Sequence, residues 1–275
     1  MSTEDFLQLI LYLQVHYRIV SLSQAVELLR SGEIHVPTVA LTFDDGYADN
    51  FLCLRAVANE TGIPATLFIT THQVETQKEF RHDLIKGMTG FLPLTWDQIQ
   101  YWSTRGIEFG SHTRTHMDCG TPDSEKLRDE IIGSRDDLES HLGTPVSLFA
   151  FPYGQRKNMS SEAMQLAAST YSHFASSFGG EAPLQSQNPQ IHLFRKNLYQ
   201  SQWELELELQ SVFDASAVIR RLFSFRKEKG PGKEDRTPLS SQLSAAVNVA
   251  VNQSTVDRQS FSHGHEKAGY QSSAR

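Results

Sequence analysis

Two adjacent carboxylates, Asp44 and Asp45, close the apolar run Leu41-Thr42-Phe43 and are followed by Gly46 and Tyr47. Well downstream, Ser111-His112-Thr113-Arg114-Thr115-His116 supplies two imidazoles at i and i+4. One carboxylate and two histidines can hold a divalent metal and leave positions open for water and a substrate oxygen. The remaining carboxylate is then free to act as a base. That inventory suits metal-assisted hydrolysis. Alone, an Asp-Asp-Gly triplet is a turn signature, and a His-x3-His pair fits a solvated helix face as well as a metal site. The conjunction says more, because each motif follows an apolar strand and is framed by small residues, Gly46 in one case and Gly110 and Ser111 in the other.

The elements that must position these residues read as alternating strands and helices. Residues 4–17 have apolar positions at helical spacing, and Ser23 can cap a second helix over Gln24–Arg30 that Gly32 ends. Thr38–Phe43 reads as a buried strand, Asn50–Thr61 as a helix stopped by Gly62, and Ala65–Thr70 as the next strand. This β-α-β order is the mark of a parallel sheet. Thr95 can cap a helix over Trp96–Thr104, and Gly106–Gly110 leads as a strand into the histidine pair. Asp123–Leu142 reads as a long helix with a solvated charged face, and Val146–Phe151 as a short strand ending in Pro152-Tyr153-Gly154. A helix over Ser160–Ser169, strands near Ser172–Ser176 and Leu193–Tyr199, and a last helix over Trp203–Leu222 complete the pattern. In parallel α/β folds the C-terminal ends of the strands carry the site. Both motifs sit at such ends and therefore meet at one mouth. Neighbouring residues on an extended chain point in different directions, so one of the Asp pair can bind metal while the other faces the attacking water.

Composition narrows the functional classes. A chain of 275 residues accommodates one large α/β domain, and its net charge of -7 argues against phosphate-backbone binding, so no nucleic-acid partner is expected. After Phe225 the sequence turns charged and then rich in Ser, Gln and Asn, which places a polar, disordered tail at 226–275, with Leu243–Val251 as a short helix at most. Residues 1–225 are then the catalytic domain, with helices of the first 35 residues packed on it. Cys53 and Cys119 form no CxxC pair and are expected as free thiols. The acidic start Met1-Ser2-Thr3-Glu4-Asp5 is unlike a signal peptide, and Phe6–Leu13 is too short to span a membrane. As written, the chain is expected in the cytoplasm, and export requires a further upstream segment.

The motif set resembles the polysaccharide deacetylases that share the NodB homology domain, of the carbohydrate esterase family 4 type. Thr42–Gly46 matches T-F-D-D-G, and His112, Thr113 and His116 match H-[ST]-x-x-H. Phe149-Ala150-Phe151-Pro152-Tyr153-Gly154 is similar to the third motif in its F-A-[YF]-P-Y-G form, and Gly62–Phe68 to G-x-P-A-T-x-F. The resemblance spans about residues 10–225. It implies a distorted (β/α)7 barrel, with Asp44 as general base and Asp45, His112 and His116 as metal ligands. Zn2+ is the first choice of ion, with Co2+ or another divalent cation able to substitute. It also implies that the Tyr153 backbone amide, after Pro152, stabilises the oxyanion, so that both residues contact substrate. The implied substrate is an N-acetylated glycan or sugar.

Two departures stand out. Many family members carry an arginine where Ala150 stands, there paired with the catalytic base; Arg195 is the candidate replacement. The general-acid histidine of an L-x-H motif has no clean match. His192 lies in the right part of the chain but the wrong context, His263 and His265 lie in the tail, and all three are expected to be solvent-exposed. Asp44 returning its proton, or a residue from another chain, could cover the gap. Two rival readings stay open: a deacylase of a small or lipid-linked sugar on the same fold, and a glycan-binding protein with a degenerate site.

Overall fold

The computed structural model describes residues 3–50, 61–177, 191–198, 201–209 and 247–252. The apolar runs form eight parallel strands that pair in chain order: β1 (Arg18–Val20), β2 (Thr38–Phe43), β3 (Ala65–Ile69), β4 (Ile107–Ser111), β5 (Leu148–Ala150), β6 (His173–Ser176), β7 (Ile191–Asn197) and β8 (Val247–Asn252). β8 pairs with β7 on one side and along the whole of β2 on the other, Thr38 to Phe43 against Val247 to Asn252. Strands β2 to β8 therefore close a seven-stranded ring. The ring is distorted where pairing is thin. β2 meets β3 only at Thr42 and Phe43, β1 takes the place beside Thr38–Ala40, and β4 meets β5 only at Ser111. This is the distorted (β/α)7 barrel that the motifs imply.

The strand β8 corrects the reading of 226–275 as a polar tail. Val247-Asn248-Val249-Ala250-Val251-Asn252 is a short alternating run, a strand pattern that its Ser- and Gln-rich flanks obscure. The rest of that segment lies outside the described residues, as do most of the helix expected over Asn50–Thr61 and everything beyond Leu209 of the one expected over Trp203–Leu222.

Eight helices accompany the strands among the described residues: α1 (Thr3–His16), α2 (Leu22–Ser31), α3 (Thr71–Thr76), α4 (Arg81–Ile85), α5 (Trp96–Ser103), α6 (Ser124–Leu142), α7 (Ser161–Thr170) and α8 (Gln202–Leu209). Thr95, Asp123 and Ser160 cap α5, α6 and α7 as their side-chain chemistry predicts. The cap of α2 is Ser21 rather than Ser23, because Gln24 then stands three residues on and completes a capping box. No described helix is long and apolar enough to cross a membrane.

Strand alternation splits the core into two layers. The outer faces of the strands, with Val39, Leu41, Phe43, Leu67, Ile69 and Phe149, pack against helices through Leu9, Ile99, Leu127 and Ile131. The inner faces contribute Ala40, Phe68, Leu148, Ala150, Ala175 and Leu193, and the apolar face of α2 with Leu22, Ala25, Val26 and Leu29 joins that cluster. The small inner residues leave room for two large ones, Phe68 and Arg195. Gly110 has to be glycine, since a Cβ there would lie 2.6 Å from the Phe68 ring. At the α2 end, Glu108 accepts from Thr66 Oγ1 (2.8 Å) and from the Ser23 amide (3.2 Å), which gives a first-turn N–H of the helix an anionic partner.

Candidate metal centre

Asp44 and Asp45 follow β2, His112 follows β4, Pro152 and Tyr153 follow β5, Ser177 follows β6, and Arg195 lies near the end of β7. Parallel strands thus deliver separate segments to one end of the barrel. The backbone there is held in sparsely populated conformations. Five non-glycine residues among those described have positive φ, and four belong to this end: Asp45 (71°), Thr113 (65°), His116 (60°) and Tyr153 (61°). Each costs about 1–3 kcal/mol and persists only where the surroundings impose it.

Asp45, His112 and His116 each bring a donor atom to within 4.8 Å of the other two. Asp45 Oδ1 lies 3.1 Å from His116 Nε2 and 3.4 Å from His112 Nε2. His112 Nδ1 is 2.8 Å from the Ala150 carbonyl, which can only accept, so that nitrogen carries the proton and Nε2 turns a lone pair toward Asp45. Asp45 Oδ1 is buried and has no hydrogen-bond partner. Burial alone would raise the Asp45 carboxyl, yet the imidazoles of His116 and His112 hold it well below the usual carboxylate range. Burial works against a charge on His116 as well, and Asp45 raises it above its ordinary value. A buried carboxylate oxygen facing two imidazole nitrogens fits a divalent cation, which would serve all three donors at once.

Asp44 points elsewhere. Arg195 Nη1 and Nη2 donate to its two oxygens at 2.6 and 2.7 Å, with further contacts to Thr42 Oγ1 (3.4 Å) and Ser177 Oγ (3.2 Å). The guanidinium is fully buried and lies 5.3 Å from the Phe68 ring centre. The arginine that bonds to Asp44 thus comes from β7. Asp44 Oδ2 remains 4.0 Å from His112 Nε2, so the carboxylate borders the cluster of Asp45, His112 and His116 without joining it.

Several residues that hold the site carried no sequence signal. Glu130 of α6, expected on a solvated face, is buried and accepts from the amides of Arg114 (2.9 Å) and Thr115 (2.8 Å) and from Thr115 Oγ1 (2.5 Å). Arg114 in turn pairs with Asp137 and Asp129 of the same helix. One face of α6 thus fixes the loop between the two histidines. Gly154, at φ 58°, brings its backbone against Ser177, where a Cβ would meet the Ser177 amide at 2.5 Å. On the other side, Tyr47 donates to Asp83 Oδ2 (2.5 Å), and His82 Nε2 lies 2.8 Å from the Tyr47 hydroxyl. His82, His116 and Tyr153 border a pocket of about 390 Å³ that α4 and the Thr115–Asp118 loop enclose.

Tyr153 is 45% exposed, and its ring edge packs 4.7 Å from His116, so it lines the mouth; Pro152 beside it is buried. His192 corrects an expectation, being packed between Phe174 and Phe194 and bonded to Ser176 Oγ at 2.8 Å. Alternation along β7 puts it on the face opposite Arg195, away from the metal donors. His263 and His265 lie outside the described residues.

The polysaccharide deacetylase family model matches residues 31–172, a span that holds both Asp44–Asp45 and the histidine pair but stops short of Arg195. A Bacillus subtilis protein described as a polysaccharide deacetylase, YxkH, is 23% identical over 117 residues, which cover 42% of this chain and 37% of that protein. The match thus spans little more than a third of that relative's length. Among solved structures, the Streptococcus pyogenes deacetylase PplD in complex with acetate superposes with a TM-score of 0.60 at 19% identity, covering 77% of this chain and 85% of that one. IcaB from Ammonifex degensii gives 0.56 at 24% identity, covering 74% and 87%.

Proposed function

The chain belongs to the polysaccharide deacetylase family, and from that premise we propose that it removes N-acetyl groups from amino sugars of an exopolysaccharide or cell-wall glycan. The observation that carries this reading is the convergence of Asp45, His112 and His116 beside an Asp44 that stays outside the donor set. Asp45, His112 and His116 would hold the ion, with Zn2+ as first choice and Co2+ or another divalent cation as substitutes. A divalent cation at these donors supplies Lewis-acid polarisation of the acetamide carbonyl and a more acidic water.

The protein's own groups account for the rest. Asp44 takes a proton from water as the water oxygen bonds to the carbonyl carbon. Arg195, bound to both Asp44 oxygens, fixes the plane of that carboxylate. The Tyr153 amide is the proposed donor to the oxyanion, and the exposed Tyr153 ring borders the sugar, with the buried Pro152 setting the backbone behind it. Collapse breaks the C–N bond, and the proton on Asp44 passes to the departing nitrogen, leaving acetic acid and a free amine, which exchange the remaining proton to give acetate and an ammonium. This route needs no separate histidine acid. Supply of the base-pairing arginine by Arg195 also removes one ground for a degenerate, binding-only site.

Acetate release from an N-acetylglucosamine oligomer tests the reading, using the zinc-reconstituted protein against a metal-stripped control. Metal-dependent release supports it. Stoichiometric metal with no release from oligomers or from small N-acetylated sugars would overturn it.

A further inference from the structure

The two histidine ligands are held in different ways. A ligating histidine ordinarily gives its second ring N–H to a carbonyl or carboxylate, which fixes the ring's rotation. His112 does so through Nδ1 and the Ala150 carbonyl. His116 Nδ1 is buried and has no hydrogen-bond partner. Something other than a hydrogen bond must set the orientation of that ring.

Three rings surround it: His112 at 5.2 Å, Tyr153 at 4.7 Å and His82 at 4.7 Å between centres. Tyr153 is nearly half exposed and has solvent on its free side. His82 is anchored. The buried Asp83 carboxylate accepts the Tyr47 hydroxyl proton at 2.5 Å, so the Tyr47 oxygen is left to accept the His82 Nε2–H at 2.8 Å. Tyr47 is itself fully buried, packs 4.4 Å from the Phe80 ring, and follows the Asp44-Asp45-Gly46 turn directly. The segment carrying His82 is thereby tied to the loop that carries the carboxylates.

We propose that His82 is a positioning residue for the metal ligand His116: Tyr47 and Asp83 lock the His82 ring, and that ring sets the rotation of a ligand whose Nδ1 has no hydrogen-bond partner to set it. The proposal rests on the metal-centre reading above. It assigns a role to the ring face of His82 rather than to a nitrogen, so an aromatic substitute should serve where a small one does not.

Cobalt(II) titration tests this without reference to turnover, because affinity and the visible ligand-field bands both report donor geometry. The His82→Ala protein should bind cobalt about 10-fold more weakly or worse, with altered bands, while its metal-free unfolding midpoint stays near that of the parent. The His82→Phe protein, which keeps a ring against His116, should recover most of the affinity and the parent spectrum. Unchanged affinity and bands in His82→Ala would overturn the proposal. Equal loss in His82→Ala and His82→Phe would also overturn it, by pointing to the nitrogen as a donor. A parent protein that takes up no cobalt would overturn the metal centre itself, and the two failures are told apart by that single control.

Discussion

Arg195 of β7 grips both carboxylate oxygens of Asp44 on β2's exit, at 2.6 and 2.7 Å, across 151 residues of chain. The guanidinium is buried and Asp44 is half-buried, so the arginine depends on the carboxylate for what it lost in leaving water. Arg195→Met keeps much of the side-chain volume but strands the Asp44 charge, and should destabilise the protein by about 3–5 kcal/mol. The double variant Arg195→Met/Asp44→Asn should regain a large part of that loss. Arg195→Lys should not restore the parent, because an ammonium cannot bridge two oxygens in one plane. Urea unfolding of the metal-free proteins measures all three, and a stable Arg195→Met protein would deny the pair its structural weight.

Asp44→Asn separates proton transfer from metal binding. The amide is nearly isosteric with the carboxylate but cannot take the proton, and Asp44 lies outside the cluster of Asp45, His112 and His116. Metal content should therefore stay stoichiometric while turnover falls about 10²–10⁴-fold. An Asp44→Asn protein that retains parent turnover would remove the base assignment; one that loses its metal would show that Asp44 belongs with the ligands.

Glu130 reaches the His116 loop through two backbone amides and the Thr115 hydroxyl. It accepts the amides of Arg114 and Thr115, and the loop they belong to carries Thr113 and His116 with positive φ. Glu130→Ala releases those amides and lets the strained loop relax, which should pull His116 away from Asp45. Chelator competition should then show metal affinity about 10–100-fold weaker, with Asp45 and both histidines intact. Parent affinity in Glu130→Ala would mean that Arg114, through Asp137 and Asp129, holds the loop without help.

What the sequence could reveal divides along physical lines. Asp44, Asp45, His112 and His116 are legible because strand ends in a parallel barrel converge, so two motifs at such ends must share a site. The Asp44–Arg195 contact is not legible from spacing alone, since it depends on two inner-facing positions 151 residues apart meeting across the barrel. Glu130 escaped because it is one of many charges on α6, beside the buried Leu127 and Ile131, and the helical period does not distinguish a carboxylate facing solvent from one facing loop amides. His82 and Asp83 sit in a short helix with no periodic signal, and only the fold brings them to Tyr47. The strand β8 was hidden for the opposite reason: six residues are too few to stand out from polar flanks, yet enough to close a ring whose other strands already demand a partner.

The acid side of stability should be governed in part by two histidines remote from the metal donors. Burial lowers His173 and His192 from 6.5 to about 4, with Arg30 and Arg156 adding to the effect on each respectively. In the unfolded chain each takes up its proton near pH 6.5, whereas the folded protein resists until about pH 4. The stability they contribute is therefore complete above pH 6.5 and is lost progressively as pH falls toward 4, because the unfolded state then binds more protons. After allowance for partial solvent screening, about 1–2 kcal/mol each is at stake. His192→Phe removes one of these groups from a slot already lined by Phe174 and Phe194, at the expense of the Ser176 hydrogen bond. Unfolding free energies of the metal-free proteins at pH 7.5 and pH 4.5 should differ less in the variant than in the parent, by the share of one histidine. Carboxylates titrating below pH 5 affect both proteins alike and cancel in that comparison. An equal loss in the two would mean that His192 takes up its proton in the folded state as readily as in water, and that the slot between the two phenylalanines is open to solvent.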